Sequence, residues 1–291
     1  MSVDPASLAN LIVDGILTGL VYGLMALGLS VIFGVARVIN FAHGEIMALA
    51  MYAAVTLFAF CDVNPFWAAL PVAALFFVFG YGLERIVIQP FVTRPDHVQF
   101  LLLLAIAVML TNGALIVFGP DARSVRLDSL LESIAVGPLL IDRGKLYAAL
   151  IAAAASATLF AFFRFTHTGT AIRACADNWL GAKVVGLDTS RLYALAFGLG
   201  TACVAMAGCA LAALIDVTPA LGPAYTLLAF VIVIIGGLGS MTGALLGGVL
   251  IGVSEALAGL FFAPSAKSMV SFALLIVVLI FRPRGLMGGK L

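Results

Sequence analysis

Apolar residues run along this chain in long blocks separated by short polar stretches. A helix that crosses a bilayer needs about 20 predominantly apolar residues. Nine blocks reach or approach that length: Leu8–Phe33, Asn40–Phe60, Phe66–Val87, Val98–Phe118, Leu146–Phe165, Arg191–Ile215, Ala224–Leu238, Gly243–Phe262 and Lys267–Phe281. Barrel strands would alternate apolar and polar positions, whereas these runs are continuous, so the pattern predicts helices. The seventh block is short and reads as a half-helix or a re-entrant segment, which leaves eight spans as the competing count. The expected fold is all-α: a polytopic membrane helical bundle of about 8–9 transmembrane segments with broken or re-entrant helices, in one domain over residues 1–291.

The polar interruptions carry the next layer of information. Arg37-Val38-Ile39-Asn40-Phe41-Ala42-His43-Gly44-Glu45 joins the first two blocks with no real loop. Polar side chains at bilayer depth cost a few kcal/mol each unless they face protein, water or a ligand. Broken helices beside a translocation path are one setting for such a pattern. Asn40, His43, Gly44 and Glu45 are therefore the candidates for lining or gating a pathway. Glu45 fits three roles: a cap on the second helix, where a carboxylate suits the positive dipole end, a gate residue, or a ligand contact. Asn40 also suits an N-cap. Deeper in the blocks, Thr111 and Asn112 read as helix-to-helix hydrogen-bonding residues, and Glu255 as a buried acid that must be neutral or partnered.

A second polar stretch, Thr168 to Asp188, is too polar to span. Ile172, Cys175, Trp179 and Ala182 fall on one helical face, with Arg173, Asp177 and Lys183 away from it. Gly186 can supply a left-handed C-terminal cap, and Asp188-Thr189-Ser190 offers N-cap oxygens to the next helix. One short amphipathic helix over 168–188 is expected, either passive at the interface or a rigid knob on which a soluble partner pushes. With the N-terminus outside, the inner loops hold ten Lys or Arg and the outer loops five, which supports N-out and C-in. Four of those five lie in residues 119–145, an external loop whose Ser124–Leu127 and Ile134–Ile141 stretches are expected to pair as a hairpin.

Composition agrees with the blocks. The chain is 64% hydrophobic and 10% charged, with a mean hydropathy of +1.21. A soluble surface needs about 25% charge, so lipid is the solvent here. A net charge of +1 gives no reason to expect nucleic acid. Leu8 onward reads as a retained anchor and not a signal peptide. The four cysteines read as packing residues, the three histidines are scattered, and no nucleophile motif or metal spacing occurs, so catalysis finds no support. Gly15, Gly19 and Gly23, and again Gly239, Gly243, Gly247, Gly248 and Gly252, form small-residue stripes. Such stripes pack inside a bundle or against a second subunit.

The Thr168–Asp188 stretch resembles the cytoplasmic loop by which ABC importer permeases dock on their ATPases. From about Gly15 to Gly288 the chain resembles the branched-chain amino-acid ABC importer permease family. The likeness is carried by Gly19-Leu20-Val21-Tyr22-Gly23-Leu24-Met25-Ala26-Leu27-Gly28-Leu29-Ser30, Val38-Ile39-Asn40-Phe41-Ala42-His43-Gly44-Glu45, Gly236-Gly237-Leu238-Gly239-Ser240 and Phe281-Arg282-Pro283-Arg284-Gly285-Leu286. Thr242 departs from it, standing where the family more often has Pro. The resemblance implies an inner-membrane permease subunit of an ATP-driven importer of amino acids or related small polar metabolites. It implies four kinds of neighbour: a second homologous permease, two cytoplasmic ABC ATPases, a periplasmic substrate-binding protein and the lipid bilayer. It assigns ATPase docking to Gly169, Arg173, Ala174, Asp177 and Gly186. No Gly-x4-Gly-Lys-Ser/Thr loop is present, so ATP and Mg²⁺ would be held by the partner ATPases and no cofactor by this chain. The competing class is a stand-alone proton- or sodium-coupled secondary transporter, whose relay would rest on Glu45 and Glu255.

Overall fold

Inside a bilayer the backbone has no water to bond, so each apolar block satisfies its own N–H and C=O groups by coiling into a helix. A computed structural model describes residues 5–92, 94–125, 127, 132–137, 139–261 and 267–288. Its helices are α1 (Pro5–Ala36), α2 (His43–Cys61), α3 (Pro65–Leu83), α4 (Asp96–Phe118), α5 (Arg143–Phe165), α6 (His167–Asp177), α7 (Trp179–Val184), α8 (Thr189–Ala212), α9 (Leu221–Gly236), α10 (Met241–Phe261) and α11 (Lys267–Phe281). Strands β1 (Ser133–Val136) and β2 (Leu139–Asp142) lie between α4 and α5. Helix α3 runs on through a π turn, Glu84–Ile88, and a 3-10 turn, Gln89–Phe91. By length and composition, seven described helices can cross a membrane: α1 to α5, α8 and α10. The apolar helices α9 and α11 are shorter, at 16 and 15 residues. The chain is thus a polytopic helical bundle, with α9 the short element that the seventh block foreshadowed.

Helix α1 is the centre of the bundle. Burying apolar side chains does not drive helix association in lipid, so contact must come from close packing of small residues. Gly15, Gly19 and Gly23 of α1 face α10, where a Cβ on Gly19 would sit 2.6 Å from Val249 Cα and one on Gly15 2.6 Å from Val253 Cα. Gly248 and Gly252 of α10 meet the α1 backbone from the other side. The first stripe and the Gly248–Gly252 end of the second therefore pack on each other within one chain, while Gly243 and Gly247 face α9. Gly28 meets Gly200 of α8, and Gly34 lies against Gly239 in the turn after α9. The last carbonyls of α9 accept from the C-terminal segment, Leu286 N–H to Ile235 (2.8 Å) and Met287 N–H to Gly236 (2.9 Å).

At the end of α1 the chain doubles back into the bundle. Arg37 takes a left-handed φ of 54°, and residues 37–40 are non-helical. Helix α2 starts at His43, not at Asn40 as the apolar block suggested. His43 Nε2 reaches the Met25 carbonyl (3.0 Å), and Met25 lies about 16 Å from the Ala36 end of α1 at 1.5 Å per residue. Helix α9 also begins at that level, because Gly44 N–H bonds Thr226 Oγ1 (2.8 Å). Two helix starts thus meet part-way along α1.

The opposite, Asn10 end of α1 is tied to the segment after α4. Strands β1 and β2 pair antiparallel, with Ser133 opposite Asp142 and Val136 opposite Leu139. Among the described residues the Ile134–Ile141 stretch therefore folds on itself, closing a short loop at Gly137 (φ 62°), which costs less entropy than a longer one. Part of the expected loop, 126, 128–131 and 138, lies outside the described residues. Leu140 N–H donates to Asn10 Oδ1 (2.9 Å), and Lys145 on α5 pairs with Asp14 on α1 (2.6 Å).

Gly19→Val should lower the thermal unfolding temperature of the purified protein in detergent, since overpacking costs at least about 1–3 kcal/mol and here the obstacle is backbone. Gly82→Ala is the control: nothing lies within 4 Å of a Cβ there, and stability should hold.

Candidate functional site

The site is built where α2 and α9 begin. Thr226 Oγ1 accepts the Gly44 N–H and donates its own proton to Glu45 Oε2 (2.9 Å). The Glu45 carboxylate also takes its own backbone N–H. Helix N-termini carry partial positive charge, so a carboxylate at two of them is electrostatically favoured. The approach needs glycine: a Cβ on Gly44 would overlap the Gly222 carbonyl oxygen, and one on Gly222 would lie 3.0 Å from Glu45 Cα. Glu45 is buried, as are Asn40 and His43. A carbonyl only accepts, so His43 Nε2 carries the proton donated to Met25, and Nδ1 is left an acceptor with no partner. Asn40 Oδ1 accepts the Ala42 N–H (3.0 Å), while its Nδ2 is buried and unbonded. That bond makes an Asx-type turn ahead of α2, whose N-cap is Ala42, so Asn40 is not the cap of the helix.

Asn40, His43, Gly44 and Glu45 are thus brought together, and Gly222 and Thr226 join them. The last two were missed in the sequence. Their signal is faint, a Gly-Pro pair at 222 and 223 opening a helix. Glu255 on α10 is half-buried and partnered: Ser271 of α11 donates to it (2.8 Å), and the Tyr22 hydroxyl of α1 bonds it. Tyr225 lies near the same carboxylate, so the second turn of α9 sits between two acids, with Thr226 on Glu45 and Tyr225 toward Glu255.

Two expectations need correction. Among the described residues Asn112 makes no helix-to-helix bond: it is exposed on α4 and its amide donates to the Val108 carbonyl of its own helix (2.8 Å). The reason is packing, since Leu101, Val108 and Met109 on that face are exposed too. Thr111 beside it is half-buried. The acids of the spans extend beyond the expected Glu45–Glu255 relay: Glu84 is fully buried with both carboxylate oxygens unbonded among the described residues, and Asp14 lies on α1. Glu84 and Arg85 close an apolar block and look like an interfacial flank, but Glu84 opens the π turn and packs inward. Arg85 instead bonds Ser190 of α8.

The 168–188 stretch forms two helices, not one. Asn178 (φ −148°, ψ 93°) ends α6 and caps α7, accepting the Gly181 N–H (2.8 Å). The break changes the expected face: Ile172, Cys175 and Ala182 are buried, but Trp179 is exposed, with the Lys183 ammonium 5.0 Å from its ring. Gly186 has a φ of 86°, with Leu187 N–H bonded to Ala182 and Gly186 N–H to Lys183, a Schellman cap. Gly169 lets α6 fold back on α5, since a Cβ there would lie 2.6 Å from Phe163 Cα. Arg173, Ala174 and Asp177 are exposed beside Leu180, Val184 and Val185. The Cys175 thiol contacts the Tyr193 hydroxyl of α8, and burial pushes its pKa up.

With this geometry in hand, a sequence profile described as branched-chain amino acid transport system, permease component, matches residues 11–279. The chain belongs to that family. It is 30% identical to the high-affinity branched-chain amino acid transport system permease protein LivH of Salmonella typhimurium, over 94% of this chain and 94% of that protein. It is also 30% identical to the corresponding permease protein BraD of Pseudomonas aeruginosa, over 95% and 94%. The probable permease protein LivH of Methanocaldococcus jannaschii is 26% identical over 91% and 88%. The matched range takes in the break before α2, the α6–α7 pair and the start of α9. Family and helices together make this a multi-pass membrane protein of a transport permease family.

Thr226→Val should destabilise the protein by about 1–3 kcal/mol, because it strands both the Gly44 N–H and Glu45 in a buried place. Thr226→Ser should restore it, as read by thermal unfolding in detergent.

Proposed function

We propose that this chain is the membrane-spanning subunit of an ATP-driven importer that carries branched-chain amino acids or closely related small polar metabolites across the inner membrane. The observation that carries this reading is the buried meeting of the α2 and α9 starts around Glu45, in a chain of a branched-chain amino acid permease family. Half-helix ends at depth are where membrane transporters hold polar substrates and gates. Asn40, His43, Gly44 and Glu45 line or gate the path, and Thr226 ties the gate to α9.

The chain contains no phosphate-binding Gly-x4-Gly-Lys-Ser/Thr loop, so ATP hydrolysis belongs to separate subunits. Two cytoplasmic ATPases, a second, homologous permease and a periplasmic binding protein complete the assembly. The docking surface is the exposed side of α6 and α7. Gly169 sets its angle, Arg173, Ala174 and Asp177 its rim, and Gly186 its end. Trp179, Leu180, Val184 and Val185 add an apolar patch that a groove on an ATPase would cover. In this orientation the Ala36 end of α1 is cytoplasmic, residues 119–145 are external, and both termini follow the excess of Lys and Arg inside. Lys290, which counts toward that excess, lies outside the described residues.

Co-reconstitution with the ATPases, the second permease and the binding protein should give ATP-dependent amino-acid uptake, and the chain alone should give none. Accumulation by the lone chain would overturn the proposal. Glu45→Gln should lower uptake and leave the substrate ranking unchanged, because the binding protein selects. Gly186→Val forces a β-branched residue into a left-handed conformation at about 1–3 kcal/mol and should uncouple hydrolysis from uptake. Cysteine crosslinking across 169–186 should capture an ATPase.

A further inference from the structure

Two turns of α2 beyond Glu45, a buried hydroxyl has nothing to bond. Tyr52 is seven residues from Glu45, on the same helical face and about 10 Å farther toward the Asn10 end of α1. Its ring is fully buried and stacks on Phe118 of α4, with centroids 4.2 Å apart and planes 8° off parallel. Among the described residues its hydroxyl is buried without a partner, and so is the hydroxyl of Thr56, one turn further on. A buried hydroxyl left unbonded carries a desolvation cost that native proteins rarely leave unexplained.

Arg123 stands over the same Phe118 ring, its guanidinium carbon 5.3 Å from the centroid. Reciprocal backbone hydrogen bonds with Val217, at 3.0 and 2.7 Å, hold it between the segments that follow α4 and α8. One N–H from Nη2 goes to the Phe118 carbonyl (2.9 Å). Asp121 and Asp216 flank this pair in sequence and are exposed, yet neither is in ion-pair contact with Arg123 among the described residues. The fork therefore has donors to spare, and the Tyr52 hydroxyl lies within their electrostatic reach. Tyr52 and Arg123 both pack on the Phe118 ring.

The geometry points to a carboxylate-binding subsite formed by Arg123 and Tyr52, which receives the α-carboxylate of an amino acid before the substrate reaches Glu45. A planar guanidinium matches a carboxylate with two parallel hydrogen bonds, and a phenol supplies a third donor. Arg123 and Tyr52 offer only donors, so it is the carboxylate of the zwitterion that they hold, with an apolar side chain against Phe118. This inference rests on the reading of the chain as an amino-acid importer subunit. Arg123 also caps the end of α4 through the Phe118 carbonyl, and the test must separate that structural role from recognition.

The measurement is equilibrium binding of radiolabelled leucine to the solubilised permease–ATPase complex without binding protein. Competitors are 4-methylpentanoate, which keeps the carboxylate and lacks the ammonium, and leucinol, which does the reverse. Wild type should be displaced by 4-methylpentanoate and poorly by leucinol. Arg123→Gln should weaken leucine binding about tenfold or more, the worth of a charge-assisted hydrogen bond, and abolish displacement by 4-methylpentanoate. Arg123→Lys should fall between. Tyr52→Phe keeps the ring on Phe118 and removes only the hydroxyl, so it should weaken binding a few-fold at unchanged thermal stability. Unaltered leucine affinity and competition in both Arg123→Gln and Tyr52→Phe would overturn the subsite, as would a wild-type complex that transports leucine but binds none. A wild-type complex that does not take up amino acids with ATP and binding protein would instead overturn the proposed function.

Discussion

Helices surrounded by lipid gain nothing from exchanging one apolar neighbour for another, so this bundle depends on backbone-to-backbone contact between α1 and α10. The stripe of Gly15, Gly19 and Gly23 accepts α10 so closely that Gly248 and Gly252 have to be side-chain-free as well. Everything else is referred to that pair. The turn at Gly236 and Gly243 fastens α9 to α10, Gly28 and Gly200 set α8 on α1, and α1 presents the Met25 carbonyl to His43. The starts of α2 and α9 can meet around Glu45 only because the helices carrying them are held at glycine distance.

That meeting point is satisfied on one side and bare on the other. Thr226 joins the Gly44 N–H to the Glu45 carboxylate, a complete link between two helix starts. Asn40 and His43 each use one polar atom and leave another buried and unbonded. Rearranging such side chains forfeits fewer hydrogen bonds than rearranging a satisfied network, which lowers the cost of a second conformation. Arg37, in a left-handed conformation uncommon for a residue with a side chain, sits at the base of the same segment. A break with these properties is held by fewer bonds than the Thr226 link beside it. At the Ala36 end, the Cys175–Tyr193 contact joins α6 to α8, and fully buried Glu84 is close enough to Tyr193 to act on it electrostatically. This contact ties α6 to α8, one of the helices packed on α1.

The polar break, the helical blocks and the α6–α7 region are legible in the sequence because membrane chemistry makes them conspicuous: a charge or an amide in an apolar run has few innocent explanations. The left-handed position of Gly186 and the N-cap at Asp188 follow from local rules of backbone geometry and need no tertiary contact. So does the short length of α9. Where local rules compete, the sequence misleads. Ile172, Cys175, Trp179 and Ala182 keep a helical period across Asn178, but the Asn178 side chain caps a new helix, and Trp179 turns outward.

By itself the sequence determined that the chain is helical and membrane-embedded, which family it resembles, and that Asn40 to Glu45 interrupts the membrane pattern, since all of these depend on composition and near-neighbour order. Tertiary structure alone decided what that interruption touches. Thr226 lies 181 residues from Glu45, and no period or motif connects them; a hydroxyl in an apolar helix becomes a partner of the Glu45 carboxylate only when α9 is packed against α2. The same holds for Glu84, which a π turn carries inward, and for Arg123, which pairs with Val217 far along the chain. In lipid the energetic pressure on a polar group is to find a partner wherever one exists, and distance along the chain does not enter that search.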